Sequence, residues 1–174
     1  MSNVLYVEND IVLNLKYHKI KITSNVVEVM KSYIQYGFYS NEAGGVLIGR
    51  ENLDNNNLII EFCTEPMNKD KRLKNRFIRK DNGHIEFFQQ LFYSNSGIYR
   101  YVGEWHTHPE NIPSFSTIDK KNWIKINREM AHKEQYHFIV GREQICIWKC
   151  MGDELIEKIG NVEWKEVVKR AKNN

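Results

Sequence analysis

Cysteine is scarce in this sequence, and the few cysteines form no recognisable pattern. Among 174 residues there are three, Cys63, Cys146 and Cys150, an odd number at wide spacing. Disulfide-stabilised domains and zinc knuckles depend on dense or closely paired cysteines, such as C-x-x-C pairs. The sequence therefore predicts neither a disulfide framework nor a cysteine-based zinc knuckle.

Long apolar segments and a large excess of one charge are also missing. No stretch approaches the roughly 20 apolar residues that a membrane-spanning helix needs. The N-terminal sequence MSNVLYVEND lacks the features of a secretory signal. Lys and Arg number 25 against 22 Asp and Glu, so the overall charge favours neither nucleic acid nor a membrane as a partner. We expect a cytoplasmic protein.

The composition is that of a folded globular protein. Hydrophobic residues make up 41% and aromatic residues 12% of the chain, which argues against disorder. A length of 174 residues fits one domain that buries its own core. We therefore expect a single domain over residues 1–174.

Hydrophobic periodicity predicts strands and helices that interleave along the chain. One or two strands are expected within 4–22, and further strands at 46–49, 58–65, 98–106, 136–141 and 144–150. Helices are expected at about 24–36, 81–93, 119–131 and 162–172, and residues 66–80 are expected to form a loop. Because this order lacks a strict βαβ rhythm, we predict an α+β fold with a mixed β-sheet flanked by helices.

The segment HTHPENIPSFSTID, residues 106–119, concentrates groups that can bind a metal ion. Alternate residues of a strand face the same side of a sheet. A strand that runs to His108 would therefore place Glu104, His106 and His108 on one face. Pro109 would end this strand, because proline cannot donate a hydrogen bond to a neighbouring strand.

The end of the same segment adds a carboxylate. Ser116 is expected to begin a helix, with Asp119 one turn inside it and able to point toward the strand end. Two imidazoles and one carboxylate make three protein ligands, as in a catalytic zinc site that leaves a fourth position for water. Each part also has a simpler interpretation: an H-x-H pair can arise by chance among six histidines, and S-T-I-D is a capping box in outline.

The combined pattern, H-x-H-P followed by six residues and S-x-x-D, resembles the signature of the JAB/MPN metalloproteases, also called the JAMM family. The family's second motif, E-x-x-G-x-L-x-G, matches NEAGGVLIG with Glu42, Gly45, Leu47 and Gly49 in register. The motifs stand in the family's order, about sixty residues apart, and the resemblance covers about residues 15–150. It implies a JAB/MPN-like (cytidine-deaminase-like) fold.

The resemblance implies a role for each motif residue. His106, His108 and Asp119 would bind one zinc ion, which lowers the pKa of a water molecule from near 15.7 toward about 7. Glu42 would be the general base that takes a proton from water and passes it to the departing amine. Ser116 would donate a hydrogen bond to the oxyanion of the tetrahedral intermediate. The same ligand types also accept iron or cobalt.

Other polar residues are expected to play lesser roles. Glu104 is interpreted as an acceptor for an imidazole N–H group rather than as a ligand; the alternative is a carboxylate at the edge of the core with no role in the site. The histidines outside the motif are expected to be surface or packed residues: His18, His84, His132 and His137.

Within the family, the sequence looks closer to bacterial stand-alone members. It lacks the Cys- and His-rich second zinc site of some deubiquitinases, so selectivity for one ubiquitin linkage is not expected. GEWHTHPE and the following P-S-x-S-x-x-D resemble JAB proteins that accompany ubiquitin-like conjugation enzymes in CBASS anti-phage operons. The resemblance implies a deconjugating protease that cuts the bond between the extended C-terminal tail of a CD-NTase cyclic-nucleotide synthase and its target.

Two other functions remain as alternatives. A zinc-free MPN scaffold subunit would keep the fold without the ligands, whereas every signature position is present here. A RadC-like member would contact nucleic acid, and the basic segment 69–80 (KDKRLKNRFIRK) has seven basic residues against one acid. That segment has three interpretations: a solvated loop, a nucleic-acid contact or a docking site for an acidic protein. The solvated loop is the leading interpretation. The position near the substrate groove that the resemblance to a JAB fold implies favours the protein partner over nucleic acid.

Overall fold

The computed structural model describes residues 3–7, 10–131, 133–152 and 155–171. Within this part of the chain, nine strands form one mixed sheet, two short strands form a separate hairpin, and there are four helices. The strands are β1 (Asn3–Val7), β2 (Asp10–Asn14), β3 (Lys19–Ile22), β4 (Gly44–Glu51), β5 (Leu58–Cys63), β6 (Lys71–Leu73), β7 (Arg76–Ile78), β8 (Tyr99–Thr107), β9 (Gln135–Val140), β10 (Gln144–Met151) and β11 (Leu155–Glu163). The helices are α1 (Ser24–Ser32), α2 (Gly83–Ser94), α3 (Thr117–Glu129) and α4 (Trp164–Ala171).

The large sheet has the strand order β1-β2-β3-β5-β4-β8-β9-β10-β11. Neighbouring strands are antiparallel apart from two parallel pairs, β3 with β5 and β8 with β9. Parallel neighbours need a crossover connection, and between β8 and β9 that connection contains α3. The crossover brings the first turn of α3 back to the end of β8, where the H-x-H pair lies.

Alternating apolar side chains divide the core between the two faces of the sheet. On β10, Ile145 and Ile147 belong to the cluster that includes side chains of α1 and α4. Cys146 and Trp148, which point the other way, pack with Trp123 of α3. A third cluster joins β4 and β8 to phenylalanine side chains of α2. Helices therefore cover both faces of the sheet, and the predicted α+β class is confirmed.

The predicted loop at residues 66–80 is wrong, because the structure forms the hairpin β6–β7 there. The strands are only three residues each, and their alternating apolar positions are interrupted by basic side chains. A period of two cannot be recognised over three residues, so the pattern resembled a charged loop.

The ends of the chain also differ from expectation. Three strands, rather than one or two, precede α1, and β11 was not predicted at all. Helix α1 ends at Ser32 instead of about residue 36, because the N–H groups of Tyr33 and Ile34 bond to carbonyls three residues earlier and tighten the chain into a turn. Residue 172, the last of the predicted final helix, lies outside the described residues.

Two further features bear on the sequence expectations. Cys63, Cys146 and Cys150 are unpaired thiols. Among the described residues, no helix is long and apolar enough to cross a membrane.

A buried histidine links α3 to the sheet. The rings of His137 on β9 and Trp123 on α3 are stacked, with centroids 4.6 Å apart and an interplanar angle of 10°. His137 is fully buried, and neither of its ring nitrogens has a hydrogen-bond partner among the described residues. Burial, with a smaller contribution from the nearby His106 and opposition from Asp119, lowers the pKa of His137 to about 3.

This buried histidine predicts an acid-sensitive fold. In the unfolded chain the pKa of histidine is about 6.5. As pH falls below that value, His137 binds a proton in the unfolded state but stays neutral in the folded state, which lowers the free energy of unfolding. The stabilising contribution of neutral His137 is complete above pH 6.5 and is lost progressively toward the folded-state pKa of about 3. For His137→Phe, we expect the loss of unfolding free energy between pH 7 and pH 5 to be smaller than in the wild type by about 2 kcal/mol.

Urea unfolding at the two pH values measures this difference, with a chelator present so that metal release does not contribute. The remaining titrating groups are common to both proteins and cancel in the comparison. An equal loss of stability in the wild type and His137→Phe would contradict the assignment.

Candidate metal centre

Strands β4 and β8 bring the two sequence motifs together. Gly44 at the start of β4 is paired with His106 near the end of β8. Just beyond this pair, the N–H group of Thr107 donates to the carbonyl of Ala43 (2.8 Å), and the N–H group of Ala43 donates to Oγ1 of Thr107 (3.0 Å). Glu42 is thereby held beside the H-x-H pair, although 64 residues separate Ala43 from Thr107.

The two glycines after Ala43 permit this close approach. A Cβ atom at Gly44 would lie 2.6 Å from both the Phe77 ring and the carbonyl oxygen of Trp105. A Cβ atom at Gly45 would lie 2.0 Å from the carbonyl oxygen of Thr64. Side chains at these positions would push the surrounding backbone away from Glu42, so the motif needs glycine for steric reasons.

The two imidazoles meet at the end of β8, which runs one residue beyond the predicted strand at 98–106 and stops just before His108. It ends at Thr107, and the N–H group of His108 continues the ladder by donating to the carbonyl of Val140 on β9 (3.0 Å). The Nε2 atoms of His106 and His108 lie 3.0 Å apart. The predicted convergence of the two side chains is therefore present in the structure.

Asp119 completes the cluster from the first turn of α3. Ser116 is the N-cap of α3 and forms the predicted capping box: the N–H group of Asp119 donates to Oγ of Ser116 (3.2 Å), and the N–H group of Ser116 donates to Oδ2 of Asp119 (2.7 Å). This cap orients the carboxylate, whose oxygens lie 3.3 Å from Nε2 of His106 and 3.5 Å from Nε2 of His108. The capping and metal-binding interpretations are thus compatible.

The ligand atoms lie close enough together for one ion to contact all three side chains. The two Nε2 atoms are 3.0 Å apart, and they lie 3.3 and 3.5 Å from different oxygens of Asp119. One ligand atom from each residue can be chosen so that all three lie within 4.8 Å of one another, and zinc bonds to nitrogen and oxygen are about 2.0–2.2 Å long. Two facing imidazole nitrogens can form at most one hydrogen bond to each other through a single proton, whereas both can donate lone pairs to one cation. The donor set therefore fits zinc.

Charge around the cluster also favours a cation. Burial opposes ionisation of Asp119, but hydrogen bonds from His106 and His108 hold the pKa of its carboxyl well below the usual range. Burial would lower the pKa of His108, yet its hydrogen bond to Asp119 and the nearby carboxylates of Glu42 and Glu110 raise it overall. The protein alone thus surrounds the imidazoles with negative charge.

Glu42 is buried next to this cluster, with 4% of its surface exposed. Burial raises the pKa of Glu42 to about 7, with a smaller contribution from the negative charge of Asp119 and opposition from His108. A backbone hydrogen bond from Phe77 to the carboxylate also favours the charged form. Its own main chain is held by the hairpin, because its N–H group donates to the carbonyl of Leu73 (2.8 Å) and its carbonyl accepts from Nε of Arg72 (3.0 Å).

The cluster opens into a cavity of about 680 Å³. Its walls come from the hairpin, from the ends of β4 and β8, and from α3. Glu42, His106, His108, Ser116 and Asp119 all line it. Ser116 is exposed, so its hydroxyl is accessible from the cavity while its oxygen caps α3. The five residues singled out in the sequence therefore share one site.

Glu104 was expected to accept a hydrogen bond from an imidazole N–H group, and this expectation is wrong. Glu104 lines the cavity, but its carboxylate pairs with the guanidinium of Arg79, at 2.8 and 2.9 Å, and the contacts of the described residues show no bond to an imidazole. The carboxylate of Glu110 instead lies near Nδ1 of His108, at 3.8 Å. Its position directly after H-x-H-P was the only signal in the sequence that could have identified it.

A buried polar network anchors the base of the hairpin. Nε2 of His84 contacts Oδ2 of Asp70 at 2.8 Å, and both side chains are fully buried. Nδ1 of His84 lies 2.5 Å from Oγ1 of Thr64, which also accepts from the N–H group of Val46 (2.9 Å). These contacts fit a neutral imidazole that donates through Nε2 and accepts through Nδ1.

Asp70 closes the two arms of the hairpin. Its carboxylate accepts backbone hydrogen bonds from Met67 before β6 and from Lys80 and Asp81 after β7, at 2.7–3.0 Å. Burial opposes its charge, but these three donors and His84 lower the pKa of Asp70 overall. The sequence predicted a surface or packed position for His84; the structure buries it, and its role in this network was missed. His132, for which the same was expected, lies outside the described residues.

Comparison with known proteins identifies the family. The model of prokaryotic homologs of the JAB domain matches residues 35–151, a span that contains all five site residues. A CD-NTase/cGAS isopeptidase of Escherichia coli (strain TW11681) is 37% identical over 134 residues, which cover 77% of this chain and 83% of that protein. Proteins of the same description from Pseudomonas aeruginosa (strain BWHPSA011 / Pa011) and Vibrio cholerae (serotype O1, El Tor Inaba N16961) are each 31% identical, over 72% and 74% of this chain and 78% and 80% of theirs.

A solved structure supports the fold. The solution structure of a protein from Desulfitobacterium hafniense superposes with a TM-score of 0.54 at 19% sequence identity. The match covers 80% of this chain and 90% of that one. At this identity the likeness concerns the fold alone.

The cluster predicts a specific metal content. We expect the purified protein to carry about one equivalent of zinc, and His106→Ala to lose it because only one imidazole and one carboxylate remain. His18→Ala removes a histidine that contacts Tyr136 rather than the cluster, and it serves as the matched control. Metal analysis by inductively coupled plasma mass spectrometry measures both. Full zinc content in a His106→Ala/His108→Ala double variant would overturn the ligand assignment.

The hairpin anchor predicts a local loss of stability. Asp70→Ala leaves a buried imidazole and three backbone N–H groups without their acceptor, so we expect unfolding free energy to fall by about 1–3 kcal/mol. Amide hydrogen exchange should accelerate most in β6 and β7. Asp54→Ala, in the exposed turn between β4 and β5, is the control and should change neither quantity. Hairpin exchange that is the same in Asp70→Ala as in Asp54→Ala would show that the network does not hold the hairpin.

Proposed function

The chain belongs to the family of prokaryotic homologs of the JAB domain, and from that premise we propose that it is a zinc-dependent isopeptidase. The observation that carries the proposal is the meeting of two imidazole nitrogens and one carboxylate, 3.0–3.5 Å apart, beside a second, buried carboxylate. Three ligands and a nearby proton acceptor are what metal-assisted hydrolysis of an amide requires.

His106, His108 and Asp119 would hold the zinc ion. When bound, it would supply an activated water with a pKa near 7 and polarise the scissile carbonyl. The protein contributes the orientation of these ligands: β8 directs the two imidazoles, and the capping box directs the carboxylate. Glu110, close to the free nitrogen of His108, would help hold that ring in place.

Glu42 is proposed as the group that moves the proton. Amide hydrolysis needs a base for the attacking water and an acid for the departing amine, because an unprotonated amine leaves poorly. Its pKa of about 7 would let one carboxylate do both at neutral pH, and a bound cation would lower that value. The Phe77 N–H group holds the carboxylate in position for this transfer.

Ser116 is proposed as the oxyanion donor. Its oxygen accepts a hydrogen bond from Asp119 within the capping box, and its hydroxyl proton can be donated into the cavity. A donor of this kind stabilises the charge that develops on the carbonyl oxygen, an effect worth about 10²–10³ in rate in other hydrolases.

The substrate proposal rests on the relatives. Three similar proteins are described as CD-NTase/cGAS isopeptidases, at 31–37% identity over most of this chain. We propose that this chain likewise releases a CD-NTase from the target to which its C-terminal tail is joined. Such a protein would work beside ubiquitin-like conjugation enzymes in anti-phage defence. The zinc-free scaffold alternative is disfavoured because all the ligands are present and converge.

Glu42→Gln is expected to keep the zinc and lose turnover. The amide preserves the size of the side chain but cannot take up a proton, so cleavage should fall by about 10²-fold or more. A fusion between a CD-NTase C-terminal tail and a reporter protein is the substrate, and product is followed by mass spectrometry. Glu65→Gln, an exposed change outside the cavity, is the control. Undiminished turnover by the zinc-loaded Glu42→Gln protein would remove this residue from the mechanism.

A further inference from the structure

The hairpin β6–β7 has one face that packs on the protein. Arg72 and Phe77 are cross-strand partners and share that face. Arg72 reaches the carbonyl of Glu42 and stacks on Tyr33, while Phe77 lies over Gly44. With Asp70 closing its base, the hairpin is a fixed wall of the site rather than a solvated loop.

The opposite face of the hairpin is exposed at three of its four residues, and the fourth, Ile78, is half-buried. It carries the alternate cross-strand pairs, Lys71 with Ile78 and Leu73 with Arg76. Leu73 is 53% exposed, and Lys71 and Arg76 are exposed. We call these four residues the outer face of the hairpin. It combines two cations and two aliphatic side chains.

The cations of this outer face are not neutralised. Among the described residues, no carboxylate lies within ion-pair distance of Lys71 or Arg76. The other cationic side chains of the cavity wall differ, because Arg79 pairs with Glu104 and Lys125 with Glu129. Arg76 and Ile78 also line the cavity itself, so the outer face is continuous with the proposed active site.

We propose that the outer face binds an extended segment of the protein substrate that carries acidic side chains next to aliphatic ones. This inference rests on the proposed function and names the kind of substrate segment that the enzyme would prefer. Lys71 and Arg76 would pair with the acidic side chains, and Leu73 and Ile78 would contact the aliphatic ones. Charged side chains at the rim of an interface mainly affect the rate of association and the discrimination between partners.

An acidic peptide fits this surface better than nucleic acid does. The same cavity is lined by the carboxylates of Glu42 and Glu110, which would repel a continuous phosphate backbone. A peptide can place its acidic residues over the hairpin and present a neutral segment to these carboxylates. Exposed aliphatic side chains also match a peptide rather than a chain of phosphates.

A charge-exchange experiment tests the proposal. The probes are three fluorescent peptides with the same aliphatic residues, in which two positions are Asp, Asn or Lys, and binding is measured by fluorescence anisotropy. The wild type should bind the Asp peptide more tightly than the Asn peptide, with a difference that shrinks at high salt. A Lys71→Glu/Arg76→Glu variant should bind the Asp peptide about tenfold or more weakly and bind the Lys peptide best.

Lys16→Glu/Lys19→Glu is the matched control. It makes the same change in net charge at two exposed positions outside the cavity, one in the β2–β3 turn and one at the start of β3, and it should keep the wild-type preference. If both double variants weakened binding of the Asp peptide equally, net charge alone would explain the effect and the proposal would be overturned. Equal binding of all three peptides by the wild type, or tighter binding of single-stranded DNA through Lys71 and Arg76, would also overturn it.

The binding assay and the cleavage assay test the two proposals independently of each other. If the wild type cleaves the CD-NTase fusion but shows no preference among the peptides, the outer-face proposal is wrong and the isopeptidase proposal stands. If the Asp peptide binds through Lys71 and Arg76 but no fusion is cleaved with zinc bound, the isopeptidase proposal is wrong. Unchanged zinc content in Lys71→Glu/Arg76→Glu shows that the site itself is intact.

Discussion

The reciprocal hydrogen bonds between Ala43 and Thr107 are the constraint on which the site depends. They fix the register of β4 against β8, and a shift of one residue would turn alternate side chains to the opposite face. In the observed register, His106 points into the cavity and Glu42 lies beside it. The absence of side chains at Gly44 and Gly45 allows the surrounding backbone to approach closely enough for this arrangement.

The second constraint comes from the start of α3. A capping box normally satisfies the free N–H groups of a first helical turn. Here the same hydrogen bonds aim the carboxylate of Asp119 at the two imidazoles, so local helix chemistry orients a proposed metal ligand. The crossover from β8 to β9 makes this possible, because it returns the chain to the end of the strand that carries the histidines.

Local patterns in the sequence explain which parts of the site could be predicted. The H-x-H spacing, the S-x-x-D cap and the glycine-rich strand are each recognisable from neighbouring residues. The resemblance to JAB/MPN proteins then predicted that they form one site. The partner of Glu104 could not be predicted in this way, because Arg79 lies 25 residues away on a hairpin that the sequence did not indicate. The Thr64–His84–Asp70 network was missed for the same reason: its members are ordinary residues until the fold buries them together.

The hairpin connects these separate parts. It holds Glu42 through the Leu73 carbonyl, the Arg72 guanidinium and the Phe77 N–H group, and its base is closed by Asp70. A segment that resembled a basic loop in the sequence thus supports Glu42, the proposed general base, and leaves Lys71 and Arg76 without a carboxylate partner among the described residues. Removing its anchors would disturb Glu42 without touching His106, His108 or Asp119.

Zinc K-edge X-ray absorption spectroscopy of the purified protein tests the central claim most directly. The account predicts a four-coordinate zinc ion with two imidazole nitrogens and oxygen donors at about 2.0–2.2 Å, with no sulfur in its coordination shell. A zinc–sulfur distance of about 2.3 Å, or a spectrum with no imidazole scattering, would contradict the assignment of His106, His108 and Asp119 as its ligands.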